Sequence, residues 1–113
     1  MDEFNPLVVH PVVYVLGLED GCYYVGITFN FNHRMSQHFG GFGSKWTTLH
    51  KPVKLETIIF PGSKARENEM TLQMMEKHGI EKVRGGKWCT MATPKLTGYD
   101  IEYISSVDGP NSV

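Results

Sequence analysis

Tyr14, Tyr24, Arg34, His38 and Glu69 follow one another along this chain, and together they hold the side-chain types that phosphodiester hydrolysis requires. That reaction needs a water nucleophile, a proton acceptor, positive charge against a phosphorane-like transition state, and help for the leaving oxygen. Each residue alone has a plainer reading. A strand tyrosine is ordinarily half-buried packing; Arg34 alone is a surface helix arginine, and His38 alone a helix residue whose charge suits a C-terminus. Glu69 alone is a solvated acid, as Glu67 and Glu76 are read to be.

The elements that must position them are legible from pattern. Pro11 to Gly17 and Cys22 to Thr28 are rich in valine and tyrosine and are joined by Leu18-Glu19-Asp20-Gly21, which predicts a β-hairpin. A loop of Glu19, Asp20 and Gly21, with Gly21 left-handed, pairs Leu18 with Cys22 and therefore Tyr14 with Gly26. Because side chains alternate with period two, Tyr14 and Tyr24 then share one face, and Val13, Val15, Tyr23, Val25 and Ile27 the other. Gly26 is expected to leave room over Tyr14 for a phosphate.

Asn30 predicts the cap of a helix from Phe31 to Phe39 that Gly40 ends, with Phe31, Met35 and Phe39 as its apolar row. Arg34 and His38, four apart, can reach one ligand. Gly40 to Lys51 reads as irregular or briefly helical, Val53 to Phe60 as a third strand closed by Pro61-Gly62, and Ser63 to His78 as the longest helix, stopped by Gly79. On its wheel Glu69 lies beside Ala65 and Leu72 and Glu67 with Met74 on the far side, so Glu69 is taken as the inward acid, although Met70 and Met74 blur the stripe. The predicted fold is α+β: a small three-stranded sheet, antiparallel or mixed, flanked by the Arg34 helix, the Glu69 helix and a C-terminal segment.

The run Val12-Val13-Tyr14, nine residues, then Tyr24-Val25-Gly26 and a helix carrying Arg34 and His38 resembles the GIY-YIG nuclease family. Gly40 to Thr47, His50-Lys51-Pro52-Val53 and Ala65-Arg66-Glu67-Asn68-Glu69 extend the likeness, which runs from about Val12 to Trp88. Val83-Arg84-Gly85-Gly86 is similar to an element of viral and phage-type members. The resemblance implies metal-dependent endonucleolytic cleavage of DNA, leaving a 5′ phosphate and a 3′ hydroxyl. It implies Tyr24 as general base, Arg34 on the scissile phosphate, Glu69 holding Mg²⁺ (with Mn²⁺ substituting), Tyr14 in support and His38 orienting Tyr24. A phenol titrates at about 10, so nearby positive charge must favour its phenolate. One carboxylate suits Mg²⁺, which keeps several waters.

Two departures stand out: Ile27 occupies a position where repair members carry lysine, and Glu81 and Lys82 lie where an asparagine is often found. They motivate an alternative, a catalytically idle nucleic-acid-binding module of the same fold. A P-loop is excluded, since Ser44 precedes Lys45 and no strand leads in.

At 113 residues the chain is expected to be a single domain with its core at about 11–91 and a frayed tail from about residue 107. No apolar run is long enough to span a membrane and no secretory signal is recognised, so an intracellular protein, cytoplasmic or nuclear, is expected. Cys22 and Cys89 are read as free, mostly buried thiols. Formal net charge is only −1, but acids are absent between Asp20 and Glu56 and again from Lys82 to Tyr99. That places Lys45, Lys51, Arg84 and Lys87 on an expected DNA-binding face. One site cuts one strand; a double-strand break would take two monomers or sequential nicks.

Overall fold

The computed structural model describes residues 9–107, with side chains as far as residue 102. Strands β1 (Val12–Leu18) and β2 (Tyr23–Thr28) form the expected hairpin. The Leu18 N–H donates to the Cys22 carbonyl at 2.8 Å and Tyr14 stands opposite Gly26. The turn takes two left-handed residues rather than one, Asp20 (φ 66°) and Gly21 (φ 69°). Asp20 is a residue type that tolerates this conformation, and it is tied down by His50 Nδ1 on its carboxylate at 3.1 Å and by Lys82 Nζ, which donates to its carbonyl at 3.1 Å.

Each helix begins on a side-chain cap. In α1 (Phe31–Phe39) Asn30 Oδ1 accepts the His33 N–H; in α2 (Lys45–Leu49) Ser44 Oγ accepts from Thr47; in α3 (Lys64–His78) Ser63 Oγ accepts from Arg66. Gly79, at φ 101°, stops α3 in a conformation that favours glycine. A fourth helix, α4 (Gly98–Val107), opens with Thr97 and Asp100 exchanging backbone-to-side-chain bonds of 3.0 and 3.1 Å, a reciprocal cap of the Ser/Thr-x-x-acid kind. The expected frayed tail lies, beyond Val107, outside the described residues.

The sheet has four strands, not three, in the order β3-β1-β2-β4. Strand β3 (Pro52–Ile59) runs antiparallel to β1, and β4 (Val83–Gly85) parallel to β2. The segment read as a basic turn packed by Trp88 is therefore a strand. At three residues it has no alternation to read, and its partner lies across the α3 crossover. Tyr14, Leu16, Leu18, Cys22 and Trp46 pack on one face with Tyr24, Phe31 and Met35. Val13, Val15 and Val25 pack on the other with Ile27, Met70 and Met74 of α3. The α1 apolar row ends at Met35, since Phe39 is half exposed. Among the described residues no helix is long and apolar enough to cross a membrane.

Arg84 corrects a second expectation. It is 2% exposed rather than on a nucleic-acid face. Its guanidinium lies 4.2 Å from the Trp46 ring centroid and donates to the carbonyls of Ile80, Val83, Thr90 and Met91 at 2.7–3.1 Å. The fork ties β4 to the segment after Trp88 and satisfies the donors of a guanidinium that is itself buried. Arg84→Met should cost on the order of 3 kcal/mol of unfolding free energy, read as a lower urea midpoint.

Candidate active site

Tyr14 and Tyr24 share a sheet face as the register requires, with ring centroids 6.3 Å apart. The space over Gly26 is filled by Tyr14 itself: a methyl there would overlap the Tyr14 hydroxyl. Gly26 therefore makes room for the phenol, not for a phosphate.

His38 is 1% exposed and bonds Tyr14, not Tyr24: its Nε2 lies 2.7 Å from the Tyr14 hydroxyl. Its Nδ1 is 3.1 Å from Thr47 Oγ1, which donates to the Ser44 carbonyl at 3.1 Å. In the tautomer whose Nδ1–H donates to Thr47, leaving the Thr47 hydroxyl to donate to the Ser44 carbonyl, Nε2 accepts the Tyr14 proton. Tyr24 instead has the Ser44 hydroxyl as its hydrogen-bond partner. Burial pushes both phenols above their ordinary range, and Arg34 only partly opposes this.

Burial and the Arg34 charge lower His38 to about 4. Between pH 6.5 and 4 the unfolded chain therefore binds a proton that the folded chain does not, and stability falls as pH falls through that window, by about 3 kcal/mol. His78, stacked on Tyr23 at 4.1 Å and also lowered by burial, adds to the same slope. Urea midpoints at pH 7 and pH 5 should diverge in the wild type and converge markedly in His38→Gln.

Arg34, on α1, is half-buried, bonds only Gln37 Oε1 (3.2 Å), and makes no salt bridge among the described residues. Its charge reaches Tyr14, Tyr24 and His38. A cation left in this way can take an anionic ligand.

The acid beside the tyrosines is Glu67. It is 7% exposed, its charge acts on both phenols, and its carboxylate accepts the Gly86 N–H. Burial raises its pKa; Lys64 and the Gly86 bond oppose the rise. Glu69, the acid expected inside, is exposed and lines a shallow cleft with Ile59, Arg66, Met70 and Gln73. The helix is rotated from the expected setting because its inward face is Glu67, Thr71 and Met75 flanked by Met70 and Met74, while Ala65 is exposed. The i, i+4, i+8 series from Glu67 was the available signal.

Next to Glu67, Asn68 Oδ1 accepts the Lys87 N–H at 3.0 Å. The Gly85-Gly86 turn is thus held against the start of α3 by two successive residues. Gly86, at φ 53°, has no room for a side chain against Asn68. Lys45, Lys51 and Lys87 are exposed as expected, the Lys87 ammonium lying 5.0 Å from the Trp88 ring centroid. Both cysteines are free; Cys22 is buried, but Cys89 is exposed.

A paired phenol and imidazole, an arginine without a salt bridge among the described residues and a buried carboxylate thus gather around the hairpin. Residues 10–86 match the model of the GIY-YIG catalytic domain, and the chain belongs to that family. Among similar proteins, a UPF0213 protein of Streptococcus pneumoniae is 37% identical over 65 residues, 58% of this chain and 64% of that protein. One of Photorhabdus laumondii is 29% identical over 102 residues, 90% of this chain and 91% of that protein. One of Fusobacterium nucleatum is 34% identical over 53 residues, 47% of this chain and 53% of that protein. The chain thus spans less than two thirds of the streptococcal and fusobacterial relatives. No solved structure matches at the same level of significance.

Proposed function

We propose that this protein is a metal-dependent endonuclease that hydrolyses DNA phosphodiester bonds at the site bounded by Tyr14, Tyr24, Arg34, His38 and Glu67. The observation that carries the reading is the 2.7 Å bond from the Tyr14 hydroxyl to a neutral, buried His38. Of the two phenols, Tyr14 is the one bonded to a proton acceptor. Its own proton points at Nε2, so its oxygen is free to receive one from an attacking water while His38 takes the proton displaced. Tyr24, which has no bond to His38, is assigned to positioning the water and phosphate rather than to the proton transfer expected of it from the sequence. Arg34 neutralises the phosphate oxygens as charge develops.

The donor set fits one divalent cation. Glu67 is buried, supplies a single carboxylate, and faces the two phenols, which suits an ion that completes its shell with water and phosphate oxygens. No group of three or more His, Cys, Asp or Glu converges among the described residues, at this site or another. When bound, Mg²⁺ or Mn²⁺ supplies Lewis-acid polarisation of a phosphoryl oxygen. The exposed Lys45, Lys51 and Lys87 are assigned to backbone phosphates. The test is cleavage of end-labelled DNA in Mg²⁺, Mn²⁺ or EDTA. Products with 5′ phosphates, lost in EDTA, support the reading. Salt-sensitive binding without cleavage would make the chain a binding module only.

A further inference from the structure

We infer that Thr47 is a positioning residue of this site: its hydroxyl accepts the His38 Nδ1–H and so keeps Nε2 bare toward the Tyr14 hydroxyl. Its effect on cleavage rests on the nuclease reading above.

The count of donors and acceptors selects this tautomer. Tyr14, His38 and Thr47 are all buried, so each of their side-chain protons needs an acceptor within the protein. With the ring proton on Nδ1 all three are placed. Tyr14 donates to Nε2 at 2.7 Å, Nδ1–H donates to Thr47 Oγ1 at 3.1 Å, and the Thr47 hydroxyl donates to the Ser44 carbonyl at 3.1 Å. With the ring proton on Nε2 instead, that N–H takes the Tyr14 oxygen and the phenol proton is left bare, because His38 is the one hydrogen-bond partner of the Tyr14 hydroxyl among the described residues. The partner of one ring nitrogen thus sets the state of the other.

Thr47 can hold the ring because α2 is fixed to the sheet. Five residues are too few for a helix to stand alone. Here Ser44 Oγ accepts the Thr47 N–H at 3.2 Å, and the Trp46 indole N–H donates to the Tyr23 carbonyl of β2 at 3.0 Å, with the Arg84 guanidinium over the same indole. Gly43 completes the seat: a side chain there would overlap His38 Nδ1 and crowd Thr47 Oγ1, so glycine lets the ring lie against the threonine. An acceptor fixed at Nδ1 orients an imidazole and supports the cation formed when Nε2 takes a proton, the part an orienting group plays beside a general-base histidine.

The test uses the full chain with isotope-labelled histidine, and end-labelled DNA. Nitrogen–proton NMR spectra at neutral pH should show wild-type His38 protonated at Nδ1 and bare at Nε2, its signals identified by their loss in His38→Gln. Thr47→Val, which keeps the shape and removes the acceptor, should move the Nδ1–H resonance upfield and lower kcat on the order of 10²-fold, with KM for DNA little changed. Thr47→Ser should return both the resonance and kcat close to wild type.

A wild-type ring protonated at Nε2 would overturn this role, as would full kcat in Thr47→Val. An equal loss of kcat in Thr47→Ser and Thr47→Val, with urea midpoints lowered in both, would overturn it too and make Thr47 a packing residue. Should Thr47→Val fail to fold, the wild-type tautomer and Thr47→Ser still decide. An Nδ1–H ring that responds to Thr47→Val in a chain that cuts no DNA would leave Thr47 as the holder of the imidazole and refute the nuclease reading instead.

Discussion

Glu67→Gln is expected to lower metal-dependent cleavage on the order of 10³-fold and to raise sharply the Mg²⁺ concentration giving half activity, whereas Glu69→Gln stays near wild type. The two acids lie two residues apart on one helix, so composition and local charge barely distinguish them. Their surroundings do. Glu67 is buried and accepts the Gly86 N–H, and its charge acts on both phenols; Glu69 is exposed on another side of α3. A glutamine at residue 67 can still accept from Gly86, so urea midpoints should change little and the loss can be read as chemistry. DNA binding without metal should hold or tighten, since a negative charge beside the phosphate is removed. Inactive Glu69→Gln beside active Glu67→Gln would overturn the assignment.

Tyr14→Phe should lower kcat about 10²–10⁴-fold with KM for DNA and metal requirement nearly unchanged. The ring stays packed against Phe31 and Tyr24, while the proton path from water to His38 is cut. His38→Gln should produce a loss of similar size, and the double variant little more than either alone, because the two residues act as one unit. Tyr24→Phe, which removes a hydroxyl bonded to Ser44, should be the milder change and appear partly in KM. If Tyr24→Phe is the more severe variant and Tyr14→Phe cuts well, proton transfer belongs to Tyr24.

Local rules sufficed for the hairpin and the helix limits, because each depends on neighbours in sequence. A three-residue turn sets the pairing, and period two then places Tyr14 and Tyr24 on one face; Asn30, Gly40, Ser63 and Gly79 bound α1 and α3 through caps and a left-handed stop. The ordered motif was likewise sufficient to bring Arg34 and His38 toward the tyrosines.

Tertiary structure decided what depends on how elements meet. The rotation of α3, and with it the choice of Glu67 over Glu69, follows from Met70 and Met74 docking on Val13, Val15 and Val25; methionines pack on either side of a blurred stripe, so periodicity alone could not orient the helix. His38 chose Tyr14 because α1 rests over β1 through Phe31, a distance no spacing encodes. Arg84 was counted with the surface cations because its partners are carbonyls and a tryptophan ring, which carry no formal charge to reveal them in sequence. The fourth strand was hidden for a related reason: three residues pair in parallel with a strand some sixty positions earlier, and only the closed α3 crossover brings them together.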